Sequence, residues 1–297
     1  MNDTAVAMPV FDRTAEDLGN IVELGHVNVR VPDQSKAIAF YLMGLGLTRD
    51  PYLMSGLDNM WVNVGRGQFH LPTRGTDVVR GTTALVLPDL DALMKRLHAT
   101  KSYLDGTQFS FRAAGDTVEA TCPWGNRIRV HAPDPSRFAA MRVGMPYVEF
   151  DIPAGTDLSA IARFYTEILG AIAGVSSDAR GAYAWASTSA ESRVIYRETG
   201  AALPDYDGHH IQITLADFSG PHKKLRERGL ISEESDQHQY RFLDIVDVDS
   251  NKPLFRIEHE TRSMRHPMFG RTFINRNPEI NNRNFVPGYE VGLWALN

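Results

Sequence analysis

The sequence has a single cysteine, Cys122, among its 297 residues. One cysteine excludes an internal disulfide and any zinc site built from several thiolates, and it is typical of a reducing compartment, so we expect a cytoplasmic protein. No apolar run in the sequence approaches the ~18 residues that a membrane helix needs, so we expect no membrane association. The first residues lack a basic segment followed by an apolar one, and we expect no secretory signal.

An excess of positive charge is also missing. The formal net charge is −5 at pH 7, from 31 Lys and Arg against 36 Asp and Glu. This balance gives no general attraction to nucleic acid or to an anionic membrane, so we expect a small molecule and no nucleic acid as partner. Hydrophobic residues make up 43% of the chain and charged residues 23%, which is typical of a globular protein with sizeable cores.

A pattern of strand, short turn and amphipathic helix occurs four times in the sequence. The strands begin at His26 (HVNVRV), Thr82 (TTALVL), Tyr147 (YVEFDI) and His210 (HIQITL). Shorter alternating runs follow each helix, such as MWVNV and GQFHLP after the first. The repeating unit is therefore predicted to be βαβββ. Because one such unit cannot bury both faces of its sheet, we expect the four units to pair into two domains.

The predicted helices carry start and stop signals. Asp33 and Asp157 stand where a side-chain oxygen can accept hydrogen bonds from the free N–H groups of a first helical turn. Gly44 and Gly170 stand where a left-handed residue is favoured at a helix end. These signals predict helices beginning after the two aspartates and ending near the two glycines.

This organisation resembles the vicinal oxygen chelate superfamily, which includes glyoxalase I, the bleomycin-resistance proteins and the extradiol dioxygenases, over roughly residues 22–262. The resemblance implies an α+β fold of four βαβββ modules, paired into two glyoxalase-like domains with mixed, curved sheets. We expect the first domain at 22–134 and the second, carrying the active site, at 142–262. The resemblance also implies a homo-oligomer.

Residues 263–297 lie outside the resemblance and have no clear period, so we expect an irregular C-terminal arm. Phe269, Phe273, Phe285 and Trp294 in this segment need a surface to pack on. The arm is therefore expected to wrap around the body of the protein or a partner subunit, with disorder as the alternative.

Alternation along the first strand of each module sorts its side chains onto two faces. In the fourth module His210 and Gln212 share the polar face, whereas the neighbouring His209 falls with the apolar side chains. In the third module Tyr147 and Glu149 share the polar face. The polar faces are expected to line cavities, with His210 as a ligand candidate and His209 as a packing residue.

The resemblance implies that metal ligands come from the first and last strands of a module. His210 in GHHIQITL and Glu258 in PLFRIEHE occupy such positions, and Glu149 is the remaining candidate because the third module has Tyr147 where the dioxygenases have histidine. The predicted ligands are therefore Glu149, His210 and Glu258. Such groups suit a divalent metal, Fe(II) or Mn(II) first, with Zn or Ni as further candidates.

Four more residues are candidates for acid–base or substrate-binding roles in the second domain. They are Tyr147, Tyr196, His238 and Tyr240. Each tyrosine has an alternative role as a half-buried aromatic residue with a hydrogen-bonded hydroxyl.

The first domain offers a competing pair, His26 and His70, whose partner positions would be Thr82 and Arg129. An arginine repels a dication and does not deprotonate. We therefore expect no metal in the first domain and a hydrogen-bonded polar cavity around the two histidines.

Two functions follow from the resemblance. The first is a metal-dependent enzyme that acts on a small oxygen-rich molecule such as a catechol, by ring-cleaving oxygenation or by lyase or isomerase chemistry, with the metal as Lewis acid. The second is a metal-free protein that sequesters a ligand, of the bleomycin-resistance type, in which Tyr147 and Tyr196 would hold an aromatic molecule.

Overall fold

Strands dominate the computed structural model, which describes residues 11–51, 53 and 58–275, apart from the side chain of Ala15. The strands are β1 (Ile21–Asn28), β2 (Thr48–Arg49), β3 (Asn59–Val64), β4 (Gly67–Pro72), β5 (Gly81–Val86), β6 (Ser110–Ala114), β7 (Thr117–Thr121), β8 (Arg127–His131), β9 (Gly144–Pro153), β10 (Ala173–Asp178), β11 (Gly181–Ser187), β12 (Arg193–Thr199), β13 (His210–Leu215), β14 (Ile231–Asp236), β15 (Gln239–Val246) and β16 (Pro253–Ser263).

A helix follows the first strand of each module, and one more, at Pro135–Phe138, connects the second module to the third. They are α1 (Gln34–Ala37, continued as a π-helix over Ile38–Gly44), α2 (Leu90–Ala99), α3 (Pro135–Phe138), α4 (Leu158–Arg163, continued as a π-helix over Phe164–Leu169) and α5 (Ser219–Glu227), with 3-10 turns at Arg13–Glu16 and Lys101–Tyr103. None of these helices is long and apolar enough to cross a membrane.

The strands form two mixed eight-stranded sheets. Sheet I has the order β14-β15-β16-β13-β1-β4-β3-β2, and sheet II has the order β10-β11-β12-β9-β5-β8-β7-β6. Two modules meet in each sheet through antiparallel first strands, β1 with β13 and β5 with β9. Within a module the first strand runs parallel to the last, as β13 does to β16. The predicted α+β class and the four βαβββ modules are confirmed.

The pairing of the modules differs from the expected one. Sheet I joins the first module to the fourth, and sheet II joins the second to the third. Residues 22–134 and 142–262 therefore each contribute strands to both sheets, and neither range holds a complete sheet. All four modules share one strand pattern, so the first strand of any module could pair with the first strand of any other. The pattern does not specify which two modules pair.

The helix signals are borne out in full in three of four cases. The side chains of Asp33 and Asp157 accept backbone hydrogen bonds from the first turns of α1 and α4. Gly170 ends the α4 segment in the left-handed conformation, with φ of 73°. Gly44 is the last residue of the π-helix, so the helix ends where predicted, but the left-handed residue is Gly46, with φ of 78°.

Aromatic side chains join the two sheets into one core. Phe150 on β9 stacks on Tyr196 of β12, with ring centroids 5.4 Å apart. Both rings pack against Phe255 of β16, which belongs to sheet I, at 6.1 and 5.9 Å. Burial of these rings contributes to a hydrophobic cluster that spans both sheets.

Gly81 marks a close approach between β5 and β9. A Cβ atom at this position would lie 1.9 Å from the carbonyl oxygen of Glu149, a backbone atom that cannot swing aside. We expect Gly81→Ala to lower the free energy of unfolding by about 1–3 kcal/mol, measured by urea denaturation. Gly200→Ala is the control, because a Cβ there would have nothing within 4 Å. Equal stability of the Gly81 variant and the wild type would contradict this account of the sheet.

Candidate metal centre

Three buried side chains of sheet I bring together atoms that can bind a metal. They are His26 on β1, His210 on β13 and Glu260 on β16. Each offers one ligand atom, and these atoms all lie within 4.8 Å of one another. We call this group the metal centre.

The strand register explains why these residues meet. In the β1–β13 pair His26 lies opposite Gln212 and Asn28 lies opposite His210. In the β13–β16 pair Gln212 lies opposite Glu260. Alternate residues of a strand share a face, so the two histidines and the glutamate converge on the polar face of sheet I.

A β-bulge in β1 adds another acidic group to this face. The register shifts between Leu24 and His26, where Gly25 is the extra residue. A Cβ on Gly25 would lie 1.8 Å from Oε1 of Gln212, so a larger residue at the bulge would displace the Gln212 side chain. Because of the shift, Glu23 lies on the same face as His26 although the two are three positions apart.

Two histidine nitrogens at the centre are buried without partners. Nε2 of His26 and Nε2 of His210 have no hydrogen-bond partner in the part of the chain that the structure describes. The ring of His210 lies between two carboxylates, with Nδ1 3.3 Å from Oε1 of Glu258 and Nε2 3.5 Å from Oε2 of Glu260. Unpaired buried nitrogens are costly, and two at one point indicate a place for a ligand. Two imidazoles and one carboxylate fit Fe(II), Mn(II), Zn or Ni.

The carboxylate of Glu260 is held by two arginines. Nη2 of Arg262 lies 2.6 Å from its Oε1, and Arg241 bridges it to Glu258. Burial acts to raise the pKa of Glu260, but the contact with His210, whose Nε2 lies 3.5 Å away, and the nearby positive charges outweigh burial and hold this pKa well below its ordinary value. The carboxylate is therefore ionised, as a metal ligand must be.

His26 and His70 have different roles. Burial lowers the pKa of His26 well below its ordinary value and is the largest cause that lowers the pKa of His70 to about 3, so both imidazoles are neutral. Both nitrogens of His70 are occupied, Nδ1 by Asn28 and Nε2 by Asn59, each at 2.7 Å, and Trp61 stacks on its ring. The expected hydrogen-bonded role is confirmed for His70, whereas Nε2 of His26 has no hydrogen-bond partner among the described residues.

The C-terminal arm covers the centre. Met268, Phe269 and Phe273 line a gap of about 10 Å³ beside His26. The described part of the arm therefore wraps the body of the protein, one of the two expected arrangements. Phe285 and Trp294 lie outside the described residues.

Polar contacts hold the arm in place. Arg271 forms an ion pair with the fully buried Asp50, with Nη2 2.5 Å from Oδ2. The side chain of Asn275 exchanges two hydrogen bonds with the backbone of Gly65, each 3.0 Å long. These contacts fix the arm over the polar face of sheet I.

The three predicted ligands do not come together. His210 lies in the metal centre and Glu258 lies beside it, against Nδ1 of His210. Glu149 lies on sheet II, where both its carboxylate oxygens bind Arg180 at 2.7 Å and Oε2 lies 3.5 Å from Arg197. The third module pairs with the second, so its first strand does not meet β13.

The contacts of Glu149 predict a structural role. We expect Glu149→Gln to leave the metal content unchanged and to lower the free energy of unfolding by about 2 kcal/mol, because the buried Arg197 loses part of its charge compensation. Metal analysis and urea denaturation of the variant check both points. Loss of metal in this variant would show that the ligand set has been misassigned.

Two of the predicted catalytic tyrosines lie on sheet II, away from the metal centre. The hydroxyl of Tyr147 lies 2.9 Å from Nε2 of His131. Tyr196 is fully buried, and its hydroxyl lies 2.5 Å from that of Tyr165. Tyr196 pairs in register with Phe150, an apolar-face residue, so it points into the core.

The other two predicted catalytic residues lie on β15 and in the turn before it, next to β16 in sheet I. His238 is half-buried in the turn before β15, where its backbone N–H donates to Asp236. Tyr240 is buried against the rings of Phe218 and His222. The two candidates that the resemblance implies thus fall in a turn and in the core.

His209 behaves as expected of a packing residue. It is buried, and its Nδ1 lies 2.6 Å from Oδ1 of Asp207. The adjacent histidines therefore comprise one residue of the metal centre and one residue paired elsewhere.

The residues missed at the sequence level are His26 and Glu260. In the sequence pattern His26 begins the first strand of its module as His210 does, although β1 of the structure already begins at Ile21. Glu260 lies on the same strand face as Glu258, two positions further along, and the sequence does not choose between them.

Comparisons with known proteins bear on the fold. No family model and no curated protein matches the chain. A solved structure of a candidate dioxygenase from Bacillus subtilis matches with a TM-score of 0.55 and 12% identity, over 84% of this chain and 87% of that chain. Glyoxalase I from Zea mays matches with a TM-score of 0.54 and 16% identity, over 82% of this chain and 93% of that chain.

The chain has the fold of the vicinal oxygen chelate superfamily. At identities this low, structural similarity shows the fold alone. The reaction has to be inferred from the residues of the metal centre.

Proposed function

We propose that the protein is a metal-dependent enzyme in which His26, His210 and Glu260 bind one divalent metal ion and which acts on a small oxygen-rich molecule such as a catechol. The observation that carries this proposal is the pair of unpartnered imidazole nitrogens beside an ionised carboxylate. Fe(II) and Mn(II) are the first candidates, because a two-histidine, one-carboxylate set leaves open positions for substrate and O₂.

A bound metal would supply a Lewis acid at this point. The surrounding residues have separate tasks. Glu258 contacts Nδ1 of His210 and so orients the ring with Nε2 toward the centre. Arg241 and Arg262 keep Glu260 ionised. The arm excludes bulk water, which strengthens electrostatic interactions inside the site.

Ring-cleaving oxygenation is the reaction that we place first, ahead of lyase or isomerase chemistry, because the candidate ligands include two histidines and one carboxylate. The test is anaerobic reconstitution with Fe(II), followed by oxygen uptake with a panel of catechols. We expect one metal ion per chain and oxygen consumption that depends on it. Failure of the wild-type chain to take up any divalent metal would overturn the proposal.

A metal-free ligand-sequestering protein is the second candidate. It is favoured by Arg241 and Arg262, which compensate the charge of Glu260 without a metal. Such a protein would show a melting temperature that rises with an aromatic ligand and does not change with Fe(II) or Mn(II).

Location and assembly remain expectations from the sequence. The single cysteine supports a cytoplasmic protein, and the superfamily resemblance supports a homo-oligomer. Size-exclusion chromatography with light scattering tests the assembly.

A further inference from the structure

An open cavity of about 480 Å³ is bordered by both sheets and the C-terminal arm. Its volume lies within the range of small-molecule sites, roughly 300–1,000 Å³. Much of its wall is apolar and includes Leu18, Val22, Met141, Met145, Phe269 and Phe273. Aromatic rings and flexible thioethers suit an aromatic or alkyl-substituted body.

This cavity adjoins the metal centre. Glu23, Phe269 and Phe273 line both the cavity and the small gap beside His26. A molecule with its body in the cavity would therefore present one end toward His26 once the arm side chains give way.

Glu23 lies at this junction because of the bulge at Gly25. Oγ1 of Thr214 donates to Oε2 of Glu23 at 2.8 Å, and Nε2 of Gln212 donates to Oγ1 of Thr214 at 3.1 Å. These two bonds fix the carboxylate beside the metal centre. Burial raises the pKa of Glu23, against the hydrogen bond from Thr214 and the charges of Arg262 and Arg66.

We propose that this cavity is the substrate chamber of the metal centre, and that Glu23 accepts a hydrogen bond there from a hydroxyl group of an aromatic substrate with an apolar substituent. The proposal rests on the function proposed above. A carboxylate selects a hydrogen-bond donor, and a donor bonded to a charged acceptor is favoured over an analogue that lacks it by about tenfold or more. Glu23 is thus a specificity-determining residue and adds to the metal ligands.

The test uses the metal-free full chain, kept in chelator, with two probes of similar shape. Calorimetry compares tert-butylcatechol with its dimethyl ether, which cannot donate a hydrogen bond. We expect the wild type to bind the catechol about tenfold more tightly than the ether, and Glu23→Gln to remove most of this preference while binding the ether as before. Glu227→Gln, the same change on the exposed face of α5, should retain the preference.

The position of the probe is read from methionine methyl NMR signals. Met141 and Met145 line the cavity, and their methyl signals should move on addition of the catechol in the wild type. Unmoved signals for both residues, or an unchanged catechol-to-ether ratio in Glu23→Gln, would overturn the proposal. Because no metal is present, failure of the chamber is distinguishable from failure of metal uptake, which would refute the proposed function alone.

Discussion

His26→Ala and His210→Ala are each expected to abolish the stoichiometric metal binding of the wild-type chain, and with it catalysis. Each change removes one of two imidazole ligands from a three-residue set. Loss of an outer partner of a metal ligand already costs ~10–100-fold in metal affinity or activity, and loss of a ligand itself costs more. Equilibrium dialysis followed by elemental analysis measures the metal retained by each variant.

Two further variants separate ligands from neighbours. His98→Ala removes an exposed histidine of α2 and should bind metal as the wild type does. Glu258→Gln should retain one metal site with affinity reduced by ~10–100-fold, because Glu258 orients His210 without being a ligand in this assignment. Full metal content in either His26→Ala or His210→Ala would remove that residue from the ligand set.

Acid is expected to destabilise the metal-free protein strongly, through buried neutral histidines. Burial is the largest cause that lowers the pKa of His70 to about 3, and burial lowers the pKa of His259 to about 4. The unfolded chain titrates near 6.5. Below pH 6.5 the unfolded state therefore binds protons that the folded state does not bind. The contribution of these two histidines to the free energy of unfolding is fully present above about pH 6.5 and is lost as the pH falls toward 4 and 3.

The two histidines alone should lower the free energy of unfolding by about 2 kcal/mol each between pH 7.5 and pH 5. Urea denaturation across this range in chelator gives the profile. His259→Leu should be less stable than the wild type at pH 7.5, because Tyr165 loses its hydrogen bond with His259, yet the stability of the variant should fall less steeply as the pH is lowered. His98→Ala should keep the wild-type slope. Parallel profiles for His259→Leu and the wild type would refute this origin of the acid sensitivity.

The modules and the polar face of the first strands could be read from the sequence because they depend on local alternation. The strands beginning near His26 and His210 were found in this way, and so was the contrast between His210 and His209. The helix starts at Asp33 and Asp157 could also be predicted, because an N-cap depends only on the first turn of its own helix.

The composition of the metal centre could not be read because it depends on long-range pairing. The sequence pattern gives His26 the partners Thr82 and Arg129, whereas the structure places β1 beside β13. The repeated pattern does not specify which two first strands pair. Pairing the third module with the fourth places Glu149 near His210, whereas the structure pairs the third module with the second. The choice of Glu260 over Glu258 depends on one pleat of register, which the motif leaves open.

Anomalous diffraction from crystals soaked with Mn(II) tests the central claim most directly. The account predicts one strong peak on sheet I, within about 2.0–2.3 Å of Nε2 of His26, Nε2 of His210 and a carboxylate oxygen of Glu260. No peak at these three side chains under saturating Mn(II), or a peak at Glu149 on sheet II instead, would contradict it.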